Sequence, residues 1–162
     1  MKYIAHIRDQ EEQALKEHLE NTAKLAGAFA DKFHAYEWGF CCGMLHDMGK
    51  YSKEFQKRIR GDGRKVDHAT AGAQWSNQKG GWYRLLSYCI AGHHAGLPDT
   101  GERTDTGDSK SLCGRLKKKI PDYGAYKEEV KFPDLTAVPF APVEAENADF
   151  FTGTFIRMLY SC

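Results

Sequence analysis

The stretch YEWGFCCGMLHDMGK (residues 36–50) runs from a helical apolar pattern straight into ionisable groups. Trp38, Cys41, Cys42, Met44 and Leu45 fall where one buried helix face would put them, over about Tyr36 to His46 or Asp47. Gly49 is placed to end or loosen that helix. His46 and Asp47 follow the apolar run directly, where an unpaired carboxylate is costly. Lys50 adds an amine, which read alone is a solvated lysine after a glycine.

Helical periodicity continues on both sides. Leu15, Leu19, Thr22, Ala23, Ala26 and Phe29 or Ala30 mark one face of a helix expected from Glu12, after a short extended segment over residues 2–7. Further helices are expected over Ser52 to Arg60, from an Asp67 cap to about Asn77, and over Trp82 to His94. GDGRK (61–65) reads as a turn. Residues 96–111, GLPDTGERTDTGDSKS, hold almost nothing apolar and read as a long surface loop. The prolines of PDLTAVPFAP (133–142) require extended chain. A last helix is expected from about Val143, with Ala148, Phe151, Phe155, Met158 and Leu159 inward. Its pattern is still running at Cys162, as if the chain stopped inside a helix. The fold class is therefore all-α, a globular helical bundle with one long surface loop, in a single domain of 162 residues.

Composition excludes several classes. The net charge of +1 offers no global basic field for nucleic acid, so such a contact must use a local patch. There is no apolar run long enough to span a membrane, and the charged N-terminus is unlike a signal peptide. The five cysteines (41, 42, 89, 113, 162) form no CxxC pair and read as reduced thiols of a cytoplasmic protein.

Seven histidines remain: 6, 18, 34, 46, 68, 93 and 94. Each alone reads as a surface or satisfied core histidine, and His6 and His34 keep that reading. The others form a set with Asp47. Imidazoles and a carboxylate in several buried segments make sense together if they converge on a cation. Such a donor set suits iron, manganese, nickel, cobalt or zinc, with magnesium also admissible, as one or two ions.

Five blocks then carry a family resemblance: AHI (5–7), LKEHLENTAKLA (15–26), MLHDMGKYSKEFQ (44–56), VDHATAGA (66–73) and IAGHHAGLPD (90–99). In this order they resemble the HD nuclease domain of the CRISPR-associated helicase-nuclease of type I systems, within the HD-domain metal-dependent phosphohydrolases. The resemblance runs from residue 3 to about 160. It implies that His18, His46 and Asp47 hold one metal, and that Asp47 bridges to a second completed by His68, His93 and His94. It implies that Asp47 and Lys50 are catalytic, Lys50 facing the scissile phosphate or the attacking water. Two metals about 4 Å apart would lower the pKa of a bound water toward about 7. The family pattern continues beyond its last helix with a further aspartate ligand and, in most members, with helicase domains. The expectation is thus a first metal site short of one ligand, and a second site better filled or a single metal overall.

The resemblance further implies single-stranded DNA as substrate. Its implied partners are the guide-RNA surveillance complex, the helicase domains of the same system and a phage inhibitor. Lys57, Arg58, Arg60, Arg64 and Lys65 form one basic patch, and Arg115, Lys117, Lys118 and Lys119 a second. Two alternatives stand beside this one: an HD-type nucleotide phosphohydrolase with a closed pocket, and a non-catalytic docking domain whose ligands serve folding.

Overall fold

A computed structural model describes residues 2–141 and 144–162. The chain begins with an antiparallel hairpin, β1 (Ile4–Arg8) and β2 (Glu11–Ala14). Seven α-helices follow among the described residues: α1 (Leu15–Ala30), α2 (Tyr36–Leu45), α3 (Lys53–Ile59), α4 (Ala69–Lys79), α5 (Tyr83–Gly92), α6 (Leu112–Lys117) and α7 (Ala148–Tyr160). The all-α expectation holds, with the hairpin as its one addition. The helix expected from Glu12 starts at Leu15 instead. Asp9 and Gln10 adopt positive φ (50° and 69°), which turns the chain back and pairs residues 11–14 with β1.

The core is built where α1 meets α2. Leu15, Leu19, Ala23, Ala26 and Ala30 form the buried face of α1, in steps of three or four residues. Gly39 and Gly43 lie one turn apart on α2. A Cβ at Gly39 would collide with the Ala26 carbonyl, and one at Gly43 with the Ala23 backbone. These glycines let the two helix backbones touch, and that contact brings His18 on α1 to the end of α2. Trp38, Cys41, Met44, Leu45, Leu86, Ile90, Phe155 and Leu159 complete the same core from α2, α5 and α7.

Gly49 does not work as a helix stop. The helix α2 has already ended at Leu45, and Gly49 lies inside a short 3-10 turn, Met48–Tyr51. A Cβ there would strike the His68 backbone. Glycine is required so that the segment before α4 can lie against the HD turn. Asp67 caps α4 as expected, accepting from the Thr70 N–H (3.1 Å) and the Thr70 hydroxyl (2.9 Å), and the helix runs two residues past Asn77.

The loop 96–111 has no regular helix or strand but is closely tied to α6. The N–H of Leu112 donates to Asp99 O (2.8 Å), that of Cys113 to Thr100 O (3.0 Å), and Ser111 caps the helix. Residues 133–141 form no helix or strand and lie against the core: Tyr83 donates to Pro133 O (2.7 Å) and the Trp38 indole to Ala137 O (3.1 Å), while Pro142 lies outside the described residues. Val143, the expected start of the last helix, lies outside the described residues, and α7 begins at Ala148. Phe155 and Leu159 are buried as expected, whereas Met158 is exposed because it falls on the outer side of the turn. All five cysteines are free.

Replacing Gly43 with alanine should force α1 and α2 apart. The expected cost is about 1–3 kcal/mol, the range for overpacking a tight core, measured as a shift in urea-unfolding free energy. An alanine variant of wild-type stability would contradict the close-contact reading.

Candidate metal centre

Five elements deliver one side chain or more to a single point. His18 projects from α1, where the small-residue contact holds it against the end of α2. His46 and His93 are the residues that terminate α2 and α5, and His68 is the residue that opens α4. Asp47 and Lys50 lie on the HD turn, and His94 follows His93. Helix ends place these groups where the next residue can turn toward a common centre, on a scaffold that is rigid behind them.

Asp47 stands at the middle and is 3% exposed. Its two oxygens face different ways. Oδ2 lies 3.0 Å from His18 Nε2, 3.1 Å from His46 Nε2 and 2.8 Å from Lys50 Nζ. Oδ1 lies 3.3 Å from His68 Nε2 and 3.6 Å from His93 Nε2. His68 and His94 bring their Nε2 atoms within 2.8 Å, and His18 and His46 theirs within 3.2 Å. All six residues that the sequence resemblance nominated are therefore gathered, in two groups on opposite sides of one carboxylate.

The tautomers follow from the backbone. His46 Nδ1 lies 2.7 Å from Gly43 O, His93 Nδ1 2.7 Å from Ile90 O, and His68 Nδ1 3.4 Å from Val66 O. A carbonyl oxygen can only accept, so each Nδ1 carries the proton and each neutral ring turns a bare Nε2 lone pair inward. Lone pairs then face lone pairs and a carboxylate. Asp47 Oδ1 and His93 Nε2 are buried with no hydrogen-bond partner among the described residues. Such orphaned acceptors are costly. A divalent cation compensates them, and a ring N–H held by a backbone carbonyl is the usual support of a metal-binding imidazole. The donor set fits the metal expected from the sequence: Asp47, His68, His93 and His94 each offer one atom within 4.8 Å of the others.

Electrostatics agree with that fit. Burial pushes the Asp47 carboxyl up; hydrogen bonds from His18, His46 and His93 would pull it below the usual carboxylate range, but His46 and His93 carry their proton on Nδ1, so a cation must take over that part. Burial lowers His68 to about 4. His94 is lowered too, by burial and then by His93. Neutral rings are the form that binds metal.

Lys50 is not a solvated lysine. It is 3% exposed, and its ammonium donates to Ala5 O (3.2 Å) as well as meeting Asp47. Its third neighbour is His6 Nε2 at 3.3 Å. His6, set aside on sequence, thus belongs to the centre. No sequence signal marks it; only the structure shows Ile4 and Ala5 as consecutive buried residues on a strand, so that strict alternation fails just before His6. His34 stays apart, exposed in a left-handed turn (φ 60°).

The two basic patches differ. In the second, Arg115 donates to Ala91 O (2.7 Å), Lys117 to Arg103 O and Asp105 O, and Lys118 to Asp67. These groups fasten α6 and its loop. Arg60 is likewise used on Gln56 O and Lys2 O. Lys57, Arg58, Arg64 and Lys65 are exposed. Arg58 lies over the Phe55 ring (5.8 Å), whose centroid is 5.1 Å from that of His68, so this patch adjoins the centre. Tyr51, Phe55 and Tyr83 are core, Trp75 is half-buried, and Trp82 is exposed.

The His68 ring has an acid-stability consequence. Its pKa in the fold, about 4, is below the ordinary 6.5. Its contribution to stability is therefore complete above about pH 6.5 and lost as pH falls toward 4. EDTA-treated protein should weaken across that window, and His68→Asn should flatten the trend. Urea midpoints at stepped pH measure it; an unchanged slope in the variant would contradict the assignment.

No curated protein matches the chain. The family described as Cas3, HD domain matches residues 4–150, a span that contains the hairpin, Asp47 and every histidine. With that span covering most of its length, the chain belongs to the Cas3 HD-domain family of CRISPR-associated HD nucleases.

Proposed function

We propose that the protein hydrolyses phosphodiester bonds of single-stranded DNA in CRISPR defence, as the nuclease domain that acts with a guide-RNA complex and a helicase. The observation that carries this reading is the divided carboxylate of Asp47, with imidazoles on both of its oxygens and two buried acceptors unpaired. His18, His46 and Asp47 Oδ2 would hold one divalent ion; Asp47 Oδ1, His68, His93 and His94 would hold the other. Bound there, the ions supply Lewis acidity toward a phosphate oxygen and toward the attacking water.

The remaining work falls to the chain's own groups. Gly43 O, Ile90 O and Val66 O orient three rings through their Nδ1 protons. Asp47 presents one oxygen to each group of imidazoles, so a single carboxylate would serve both ions. Lys50 contributes a positive charge beside Asp47, close to where the phosphate charge develops. Lys57, Arg58 and Arg64 offer a backbone-tracking surface beside His68.

A polymer substrate is favoured over a mononucleotide by where the cations are. The cavity behind His46 and His93, about 300 Å3, is lined by Thr22, Ala26, Cys42, Ile90, Leu159 and Tyr160 among others, with no lysine or arginine. Beyond the ions themselves, nucleotide phosphates would find no cationic side chain in it. The exposed basic patch and the exposed His94 instead face open solvent.

Single-stranded circular DNA is the discriminating substrate, since an enzyme of monomers or free ends leaves it intact. With manganese or cobalt supplied, the circle should be nicked and then degraded. Asp47→Ala should abolish both metal binding and cleavage, and retained cleavage would refute the metal-dependent mechanism. Lys57→Ala with Arg58→Ala should weaken DNA binding by a sequence-independent factor. It should also reduce the slope of log affinity against log salt by up to about 1.4 for two lost contacts. An unchanged slope would move the DNA path elsewhere.

A further inference from the structure

His6 is exposed at the end of a small hairpin, yet the structure goes to some length to aim it inward. The pairing of β1 with β2 slips between Ile4 and His6: Ile4 opposes Ala14 while His6 opposes Gln13. Such a bulge re-aims a side chain. Here it leaves Ile4 and Ala5 both buried and turns the His6 ring onto His18, edge to face, with centroids 4.8 Å apart and planes at 81°.

The hairpin is also anchored to the HD turn from behind. The side-chain amide of Gln56, fully buried, accepts from Ile4 N–H (3.0 Å) and donates to Ile4 O (2.9 Å) and Lys50 O (2.8 Å). Lys50 adds the bond to Ala5 O. The backbone on both sides of the bulge is thus fixed relative to Asp47.

The result is a second triangle of donors. One atom each from His6, His18 and Asp47 lies within 4.8 Å of the other two. Two ligands on opposite sides of one ion, each at about 2.0–2.2 Å, stand about 4.0–4.4 Å apart. That spacing holds for one opposed pair only; three ligands of one tetrahedral ion stand roughly 3.3–3.6 Å apart, so the triangle closes onto an ion with side-chain shifts of up to about an ångström. Lys50 Nζ touches the same two acceptors, Asp47 Oδ2 and His6 Nε2. An ammonium and a divalent ion cannot both take the same lone pairs.

We propose that His6 Nε2, together with His18 and Asp47, forms a divalent-cation site on the hairpin side of the centre, and that the Lys50 ammonium is its built-in competitor. This rests on the metal-binding reading of the centre and adds to it a ligand from the hairpin. Whichever cation holds the two acceptors leaves the other turned toward solvent or a substrate phosphate. Occupancy of this side is then weaker than that of the His68, His93 and His94 side, where no lysine intrudes.

The test is calorimetric titration of the full chain with Mn2+ at neutral pH, a readout independent of cleavage. Wild type should show a tighter and a weaker class of binding. His6→Ala, an exposed substitution, should lose the weaker class or weaken it tenfold or more while sparing the tighter one. Lys50→Met should strengthen the weaker class, the opposite sign. His34→Asn, outside the centre, should match wild type, and far-UV circular dichroism verifies that each variant folds. The proposal is overturned if His6→Ala binds Mn2+ with wild-type stoichiometry and affinity, or if folded Lys50→Met shows no gain. Loss of both classes on Asp47→Ala with His6→Ala unchanged removes His6 as a ligand and leaves the metal centre standing. Absence of any Mn2+ binding in wild type overturns the metal-centre reading itself.

Discussion

The structure depends on the burial of one carboxylate. Asp47 is almost fully removed from water, and such an anion is costly unless positive charge compensates it. Oδ2 faces two imidazoles and an ammonium, and Oδ1 faces two more imidazoles. His46 and Lys50 flank Asp47 itself, but His18, His68 and His93 come from distant segments, so the fold must bring α1, α4 and α5 to the end of α2. Close contacts accomplish this. Gly39 and Gly43 draw α1 onto α2, and Gly49 admits the backbone of His68.

Much of this was legible in the sequence, for a definable reason. Helical period survives in single sequences because burial of one face is a local pattern, and it located the helices on either side of the centre to within a few residues. Residues tied to the backbone of their own helix were also readable. His46 and His93 each follow an apolar helical run, and each bonds the carbonyl three residues back. Asp67 caps its own helix. The resemblance to a known family then joined His18, His46, Asp47, His68, His93 and His94 into one set, which spacing alone could not do.

What was not legible depends on partners distant in the chain. His6 lies 41 positions before Asp47, and nothing in a short extended segment announces a bulge aimed at a centre. The basic residues 115–119 looked like a DNA surface by composition, but tertiary structure commits Arg115, Lys117 and Lys118 to carbonyls and to Asp67. Gly49 looked like a helix terminator because its role, clearance for His68, involves a segment nearly twenty residues away. The turn at Asp9 and Gln10 uses positive φ in residues other than glycine, so its hairpin had no Asn-Gly or Asp-Gly signature.

The Gln56 amide offers a strand what another strand would offer, one donor and one acceptor at the same residue. In hydrogen-bonding terms α3 lends the two-stranded sheet a third member one residue wide. An edge strand with unpaired N–H and C=O groups is a template for pairing with other chains. At Ile4 that template is already filled from within the molecule, by a side chain that has no strand of its own to extend the sheet further. The device that fixes the hairpin near Asp47 is therefore also one that closes part of its edge to self-association.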